Sequence, residues 1–165
     1  MAFDTFLKIE SPDLKGESTA KDFADQMEIF SFSWGASNPV TVGSSTGGMS
    51  GGKVSVSSFN IMKKTDKASP ELFMACCTGK HYGKATVSLR KAGGKQEVYL
   101  TYTFTEVMVE SVQWSGSSGG DDVPTESVSL AFGKVEISYK AQKPDGTLDS
   151  SAVKGQWDLT KVTNE

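Results

Sequence analysis

Apolar and polar residues alternate with a period of two through most of this 165-residue chain. Successive side chains of a β-strand point to opposite faces, so the alternation predicts strands with one buried face. It therefore excludes a helical bundle and limits the chain to a mainly β fold. The predicted strands cover residues 3–9, 27–34, 53–61, 85–91, 97–105, 107–114, 126–139 and 153–159.

One stretch, residues 69–78, has helical rather than alternating character. Pro70 suits the first helical position, and Gly79 can take the left-handed conformation that ends a helix. We expect Ser69 to cap the first turn through its side-chain oxygen. The apolar side of this helix is expected to comprise Leu72, Phe73, Cys76 and Cys77.

The length of the chain fits one domain covering residues 1–165, and we find no internal repeat. A hydrophobic content of 37%, with 17 glycines and only 5 prolines, is typical of an all-β globular domain rather than a disordered chain. A single short helix in such a chain should pack on the outside of a barrel or sandwich, or plug its end. The sequence thus predicts a mainly β fold with one flanking helix.

Charge and hydropathy exclude several classes of partner. The net charge is −3 and Arg90 is the only arginine, which argues against nucleic-acid binding. No apolar run approaches the roughly 20 residues that span a bilayer, so membrane insertion is not expected. The N-terminus lacks a basic region followed by an apolar run. We therefore expect a cytoplasmic protein whose export, if any, uses a route that reads no cleavable signal peptide.

Potential nucleophiles and metal ligands are few. His81 is the only histidine, and the adjacent Cys76 and Cys77 match no structural zinc spacing. A cysteine–histidine nucleophile would need a third group to orient the histidine, and none is identifiable. The cysteines are better explained as packing residues, so we predict no enzyme activity. A cysteine-dependent hydrolase remains the weaker alternative.

Two further motifs lack the surroundings that a ligand site needs. Residues 47–53 have the spacing of a phosphate-binding loop, but Val54 replaces the serine or threonine that holds magnesium, and a strand follows. The acidic residues Asp121, Asp122 and Glu126 match no calcium loop. The sequence therefore predicts neither a cofactor nor a metal ion.

Two surface features are more informative. Residues 37–52 form a long glycine- and serine-rich connection without periodicity, and its apolar residues are Val40, Val42 and Met49. A long connection that cannot build its own core is easier to order against a partner. In the strand of residues 27–34 we expect the aromatic side, with Phe30, Phe32 and Trp34, to be buried. Alternation then places Ser31 and Ser33 on the opposite face, in a pattern that recurs at Ser55 and Ser57.

Serine- and threonine-rich faces have two explanations. They can simply face water on a one-sided antiparallel sheet. Ordinary solvent-facing strands, however, are rich in lysine and glutamate. A face of serine and threonine would instead suit a confined aqueous space that does not select among its contents.

An ordered set of short motifs resembles the haemolysin-coregulated protein (Hcp) family and covers nearly the whole chain. The motifs are Asp4-x-Phe6-Leu7-Lys8-Ile9, Lys15-Gly16-Glu17-Ser18, Phe32-Ser33-Trp34-Gly35, Lys67-Ala68-Ser69-Pro70-x-Leu72, Ala75-Cys76-x-x-Gly79-Lys80-His81, Arg90-Lys91-Ala92-Gly93-Gly94 and Glu126-x-Val128-x-Leu130-x-Phe132. The chain departs from the family pattern in residues 37–52 and 116–123.

The resemblance implies a β-barrel with a flanking helix that assembles into homohexameric rings. Those rings would stack into the tube of the bacterial type VI secretion machine, with a contractile sheath, a spike and effector proteins as partners. It also implies that Ser31, Ser33, Ser55 and Ser57 line the channel. From the ordering cost of residues 37–52 we expect Val40, Val42 and Met49 to contact another subunit or ring. The tube would be released from the cell. A monomeric β-sandwich that binds carbohydrate or protein is the main alternative.

Overall fold

The computed structural model describes residues 2–43, 48–120 and 122–165. Its elements in these ranges are β1 Phe3–Glu10, β2 Met27–Ile29, β3 Ser31–Ser33, β4 Ala36–Ser37, β5 Val40–Val42, β6 Met49–Gly51, β7 Ser55–Val56, β8 Phe59–Lys64, α1 Ser69–Thr78, β9 His81–Lys91, β10 Val98–Ser115, β11 Thr125–Tyr139 and β12 Val153–Asp158. The predicted helix bounds are confirmed, and each predicted strand overlaps an observed one. The strands predicted at 27–34 and 53–61 each divide into two, those at 97–105 and 107–114 join into β10, and residues 37–52 contain strands that were not predicted.

Eight strands form one sheet that nearly closes into a barrel. The order is β2-β1-β9-β10-β11-β8-β3, with β12 paired to the second half of β11. The two ends of this order, β2 and β3, are separated along the chain only by Phe30, whose N–H donates to the Met62 carbonyl at 3.0 Å. A single extended segment thus pairs first with β1 and then with β8. The sheet closes on itself, so the two-sheet sandwich considered from the sequence is wrong.

The core lies inside this barrel and is rich in aromatic residues. Phe59 and Phe104 are fully buried, with ring centroids 4.8 Å apart. Trp34 packs edge-on against Phe104 at 5.7 Å, and Phe32 stacks on Phe59 at 5.7 Å. Burial of each such side chain contributes roughly 1.5–3 kcal/mol. The expectation that Phe32 and Trp34 point inward is therefore confirmed.

Phe30 does not follow that expectation. Its side chain is 58% exposed, whereas Met27 and Ile29 are buried. Because the segment changes partner at Phe30, its alternation shifts by one residue there. The residues before the change point inward at odd numbers, and those after it point inward at even numbers.

The helix ends as predicted but begins differently. Gly79 has φ of 67°, and its N–H bonds to the carbonyl of Ala75. Ser69, however, is the first helical residue and makes no capping bond. Asp66 serves the start of the helix instead, because its Oδ1 accepts from the N–H of Ala68 at 3.0 Å.

The helix buries only part of the predicted face. Leu72 is buried and Cys76 packs against the core, as predicted, but Phe73 and Cys77 are exposed and Ala75 is buried in their place. Phe73 lies 5.9 Å from the ring of Trp114. The period therefore gave the correct helix and two of its four core-facing residues.

A separate aromatic cluster on the outer face of the barrel, buried beneath Arg90, fixes the connection between β1 and β2. Phe6 and Phe23 stack at 4.4 Å, and the guanidinium of Arg90 lies 5.1 Å and 5.3 Å from their rings. Arg90 also donates to Asp4 at 3.2 Å. The single arginine therefore has a structural role on the outer face of the barrel.

The turn after β12 is held by one carboxylate. Oδ1 of Asp158 accepts from the Thr160 hydroxyl at 2.6 Å and from the N–H groups of Thr160 and Lys161 at 2.9 Å and 3.0 Å. The bond from the Thr160 hydroxyl, followed by the bond from the Lys161 N–H, lowers the pKa of Asp158 below its ordinary value.

Candidate assembly and lumen surfaces

A two-stranded ribbon extends from the β3–β8 end of the barrel. We call residues 35–57 the ribbon. Its ladder begins with Ser57 N–H donating to the Gly35 carbonyl at 2.8 Å and continues through the pairs β4–β7 and β5–β6. The last described bond joins the Gly43 N–H to the Gly48 carbonyl at 3.3 Å. Residues 37–52 were expected to lack regular structure, but within the described residues 37–43 and 48–52 most of the backbone lies in or next to a ladder.

A bulge separates the ribbon from the barrel. Ser33 pairs with Asn60, but Ala36 pairs with Val56, so the returning strand contains one residue more than its partner. The extra residue lies between Val56 and Asn60. It increases the local twist and redirects the ribbon away from the barrel wall.

The ribbon has one apolar face. Val42 lies opposite Met49, and Val40, two residues earlier, shares their face. The exposed fractions of Val40, Val42 and Met49 are 57%, 70% and 75%. The opposite face carries Thr41 paired with Ser50. The three apolar residues singled out in the sequence therefore form one surface that their own subunit does not cover.

A second surface of small polar residues covers the outside of β3, β8, β11 and β10. One row comprises Ser33, Asn60, Ser129 and Ser111, which are cross-strand neighbours in that order. The parallel row comprises Ser31, Met62, Ser127 and Gln113. The Ser129 hydroxyl donates to Asn60. Ser31 and Ser33 are exposed on this face, which has no charged side chain in either row.

Ser55 and Ser57 lie on the ribbon rather than in the barrel wall. Ser55 is exposed and pairs with Ser37. The Ser57 hydroxyl accepts from the Gly35 N–H at 2.8 Å, so it helps to hold the base of the ribbon. The structure brings Ser31 and Ser33 together on one face, and it places Ser55 and Ser57 beyond them at the root of the ribbon.

Sequence reasoning missed a buried ionic cluster beneath the start of α1. Lys63 and Glu126 are cross-strand neighbours with fully buried side chains, and Lys63 Nζ lies 2.5 Å from Glu126 Oε1 and 2.7 Å from Asp66 Oδ1. Ser69 Oγ and Trp114 Nε1 donate to Glu126 at 2.9 Å and 2.7 Å. The sequence does contain a lysine and a glutamate at inward positions of two strands. Only the register of those strands shows that the two residues are neighbours.

The groups considered for chemistry do not converge. Cys77 and His81 are exposed, while the sulfur of Cys76 lies 3.6 Å from the carbonyl oxygen of Glu110. Within residues 2–43, 48–120 and 122–165, no group of three histidine, cysteine or acidic side chains is placed to hold a metal ion. Gly47 of the phosphate-loop motif and Asp121 of the acidic motif lie outside the described residues.

No helix in the described part of the chain is long and apolar enough to cross a membrane.

Comparisons with known proteins agree on one family. The model of the family described as "Type VI secretion system effector, Hcp" matches residues 6–139. Protein hcp1 of Pseudomonas aeruginosa is 44% identical over 160 residues, covering 96% of each chain.

Solved structures show the same similarity. A type six secretion system protein superposes with a TM-score of 0.93 at 31% identity, over 99% of this chain and all of its own. Hcp1 from Salmonella typhimurium gives a TM-score of 0.77 at 31% identity, over the full length of both chains. The barrel, its flanking helix and the sequence motifs thus lead to one conclusion: the chain belongs to the Hcp family of type VI secretion proteins.

Proposed function

We propose that the protein is a structural subunit of the type VI secretion tube, assembling into homohexameric rings that stack and carry effector proteins in their lumen. The observation that carries the proposal is the apolar face of the ribbon. Val40, Val42 and Met49 stand exposed on a paired backbone that has no core of its own. A surface of this kind on an ordered ladder is best explained by contact with another copy.

The shape of the subunit favours repeating contacts rather than a two-fold dimer. The ribbon extends from one end of the barrel, so its apolar face must meet a different surface on the next copy. Contacts between unlike surfaces generate rings when the rotation closes and stacks when it does not. Six-fold closure is taken from the family resemblance.

The serine-rich face supports a lumen assignment. Ser31 and Ser33 of β3 and Ser127 and Ser129 of β11 present short uncharged side chains on the two strands that flank β8. A wall of this composition leaves a wide bore and gives passing proteins only weak contacts. We assign Ser31 and Ser33, together with Ser55 and Ser57 at the root of the ribbon, to the channel. The effectors are then its contents, while the contractile sheath and the spike lie outside the tube and at its tip.

Export would follow from this role. A subunit propelled through the secretion machine leaves the cytoplasm as part of the tube, so it needs no cleavable signal peptide. The assembly would also explain why no catalytic group is required.

Native mass and shape test the assembly. Light scattering at micromolar concentration should give about six times the 17.6 kDa chain mass, and negative-stain images should show rings with a central hole. A monomer mass would contradict the proposal and favour a single-chain binding module. Rings that fail to retain any effector protein expressed with them would contradict the lumen assignment alone.

A further inference from the structure

A groove on the outer wall lies where the segment of residues 27–33, which we call the closing segment, changes its pairing partner from β1 to β8. Its volume is about 760 Å³, and its apolar lining includes Phe3, Phe30 and Val123. Phe3 and Phe30 are 49% and 58% exposed. We call this the seam groove. It is large enough to receive several side chains, and its aromatic lining is uncovered in the single chain.

The seam groove exists because the barrel closes through two short pairings. Ile29 pairs with Thr5 of β1, whereas Ser31 pairs with Met62 of β8. Phe30 lies between the two pairings, and its outward side chain lines the groove together with Phe3 of β1 and Lys64 of β8.

We propose that the seam groove of one copy receives the apolar face of the ribbon of another copy. This inference rests on the proposed assembly and names the surface that the ribbon contacts. Val42 and Met49 would lie against Phe3 and Phe30. A methionine sulfur near an aromatic ring makes a favourable contact, so this pairing offers more than apolar area alone.

Charge also favours this pairing. Among the charged residues that line the groove, Asp4 is paired with Arg90 and Asp66 with Lys63, which leaves the carboxylates of Glu17 and Glu28 against the single ammonium of Lys64. Between residues 36 and 56 the only charged residue is Lys53. A ribbon with one positive charge and no negative charge enters an acidic groove without like-charge repulsion.

The occupant must be another copy, because a chain cannot fill its own groove. Phe30 and Lys64 lie at one end of the β3–β8 pair, and the ribbon continues from the other end. The contact therefore joins opposite ends of two subunits and repeats head to tail.

Disulfide trapping tests this pairing. In a Cys76→Ala/Cys77→Ser background, one protein carries Met49→Cys on the ribbon and a second carries Glu28→Cys on the rim of the groove. Glu28 is chosen because its substitution leaves both aromatic residues in place. The two proteins, distinguished by size tags, are co-expressed and oxidised after purification. The matched control replaces Glu28→Cys with Val153→Cys, at a residue that is 74% exposed and lies outside the groove.

The expected result is at least tenfold more cross-linked heterodimer from the Met49–Glu28 pair than from the Met49–Val153 pair. Assemblies of normal mass without that cross-link, or with equal yields from both pairs, would overturn the groove assignment and leave the proposed tube subunit intact. A monomer mass for both proteins would overturn the proposed assembly, and the groove assignment with it.

Discussion

Lys63→Met should be among the most destabilising single substitutions in the barrel. The ammonium of Lys63 lies 2.5 Å from Glu126 and 2.7 Å from Asp66, and the side chains of Lys63 and Glu126 are fully buried. Without it, two carboxylates remain close together with no countercharge. Removing one partner of a buried ion pair costs about 3–5 kcal/mol, because the remaining charge has lost both water and its partner.

Glu126→Gln should cost less, about 1–3 kcal/mol. The amide oxygen can still accept from Ser69 or Trp114, and Lys63 keeps its pairing with Asp66. The double variant Lys63→Met/Glu126→Leu should lose less than the sum of its two single changes, since no uncompensated charge pair remains. The expected order of destabilisation among these variants follows from the contacts and does not depend on the absolute free energies.

Urea unfolding followed by far-ultraviolet circular dichroism measures these differences. With an m value of about 2 kcal/mol/M, the Lys63→Met midpoint should fall by roughly 2 M. Protomer concentration is held fixed, because assembly would add to the apparent stability. Lys64→Met is the matched control, since the neighbouring side chain is exposed, and it should change stability by no more than about 0.5 kcal/mol. The reasoning fails if Lys63→Met is no more destabilising than Lys64→Met.

Three other outcomes follow from the structure. In the first, an Asn-Gly turn between the paired Ser37 and Ser55 replaces residues 38–54. The thermal midpoint of the isolated barrel should stay within a few degrees, while assembly should be abolished. Unchanged assembly by light scattering would show that the ribbon is only a connection. Ser33→Gln should leave ring assembly intact on gel filtration and reduce the amount of co-purified effector, whereas loss of folding would mean that Ser33 is buried, and full effector retention would mean that it faces elsewhere. Asp158→Asn should lower the free energy of unfolding at pH 7, because a depressed carboxyl pKa stabilises the fold above the unfolded value of about 3.9. That deficit should shrink as the pH falls through the lowered pKa, and a deficit independent of pH would contradict the assignment.

The sequence predicted elements well where one face is buried and the other is not. Strand β11 and helix α1 are predicted because burial on one side imposes a period, and Gly79 ends the helix as its conformational freedom suggests. The ribbon was interpreted as an irregular connection because both of its faces are exposed in one subunit. Glycine, serine and threonine on such strands give no alternation to detect.

The remaining errors have tertiary causes. Phe30 faces outward because the segment changes pairing partner there, and no local pattern records a change of partner. Ser69 does not cap the helix because it lies in the first turn after Ala68, where its oxygen accepts from the Asp66 N–H and its hydroxyl donates to Glu126, 57 residues later in the chain. For the candidate site, the sequence singled out Val40, Val42 and Met49 but could not reveal that they share one face.

The change of partner at Phe30 also has a consequence for the order of folding. The closing segment holds β1 through three residues and β8 through three others, and neither half is long enough to persist alone. β1 in turn depends on β9, since Phe3 pairs with Lys91 across most of the chain. Closure of the barrel therefore needs contacts that are distant in sequence and must form together, which makes for slow, cooperative folding. The amide proton of Phe30 should then exchange with solvent only when the whole barrel opens, while those of the ribbon exchange through local fraying until a neighbouring subunit covers them.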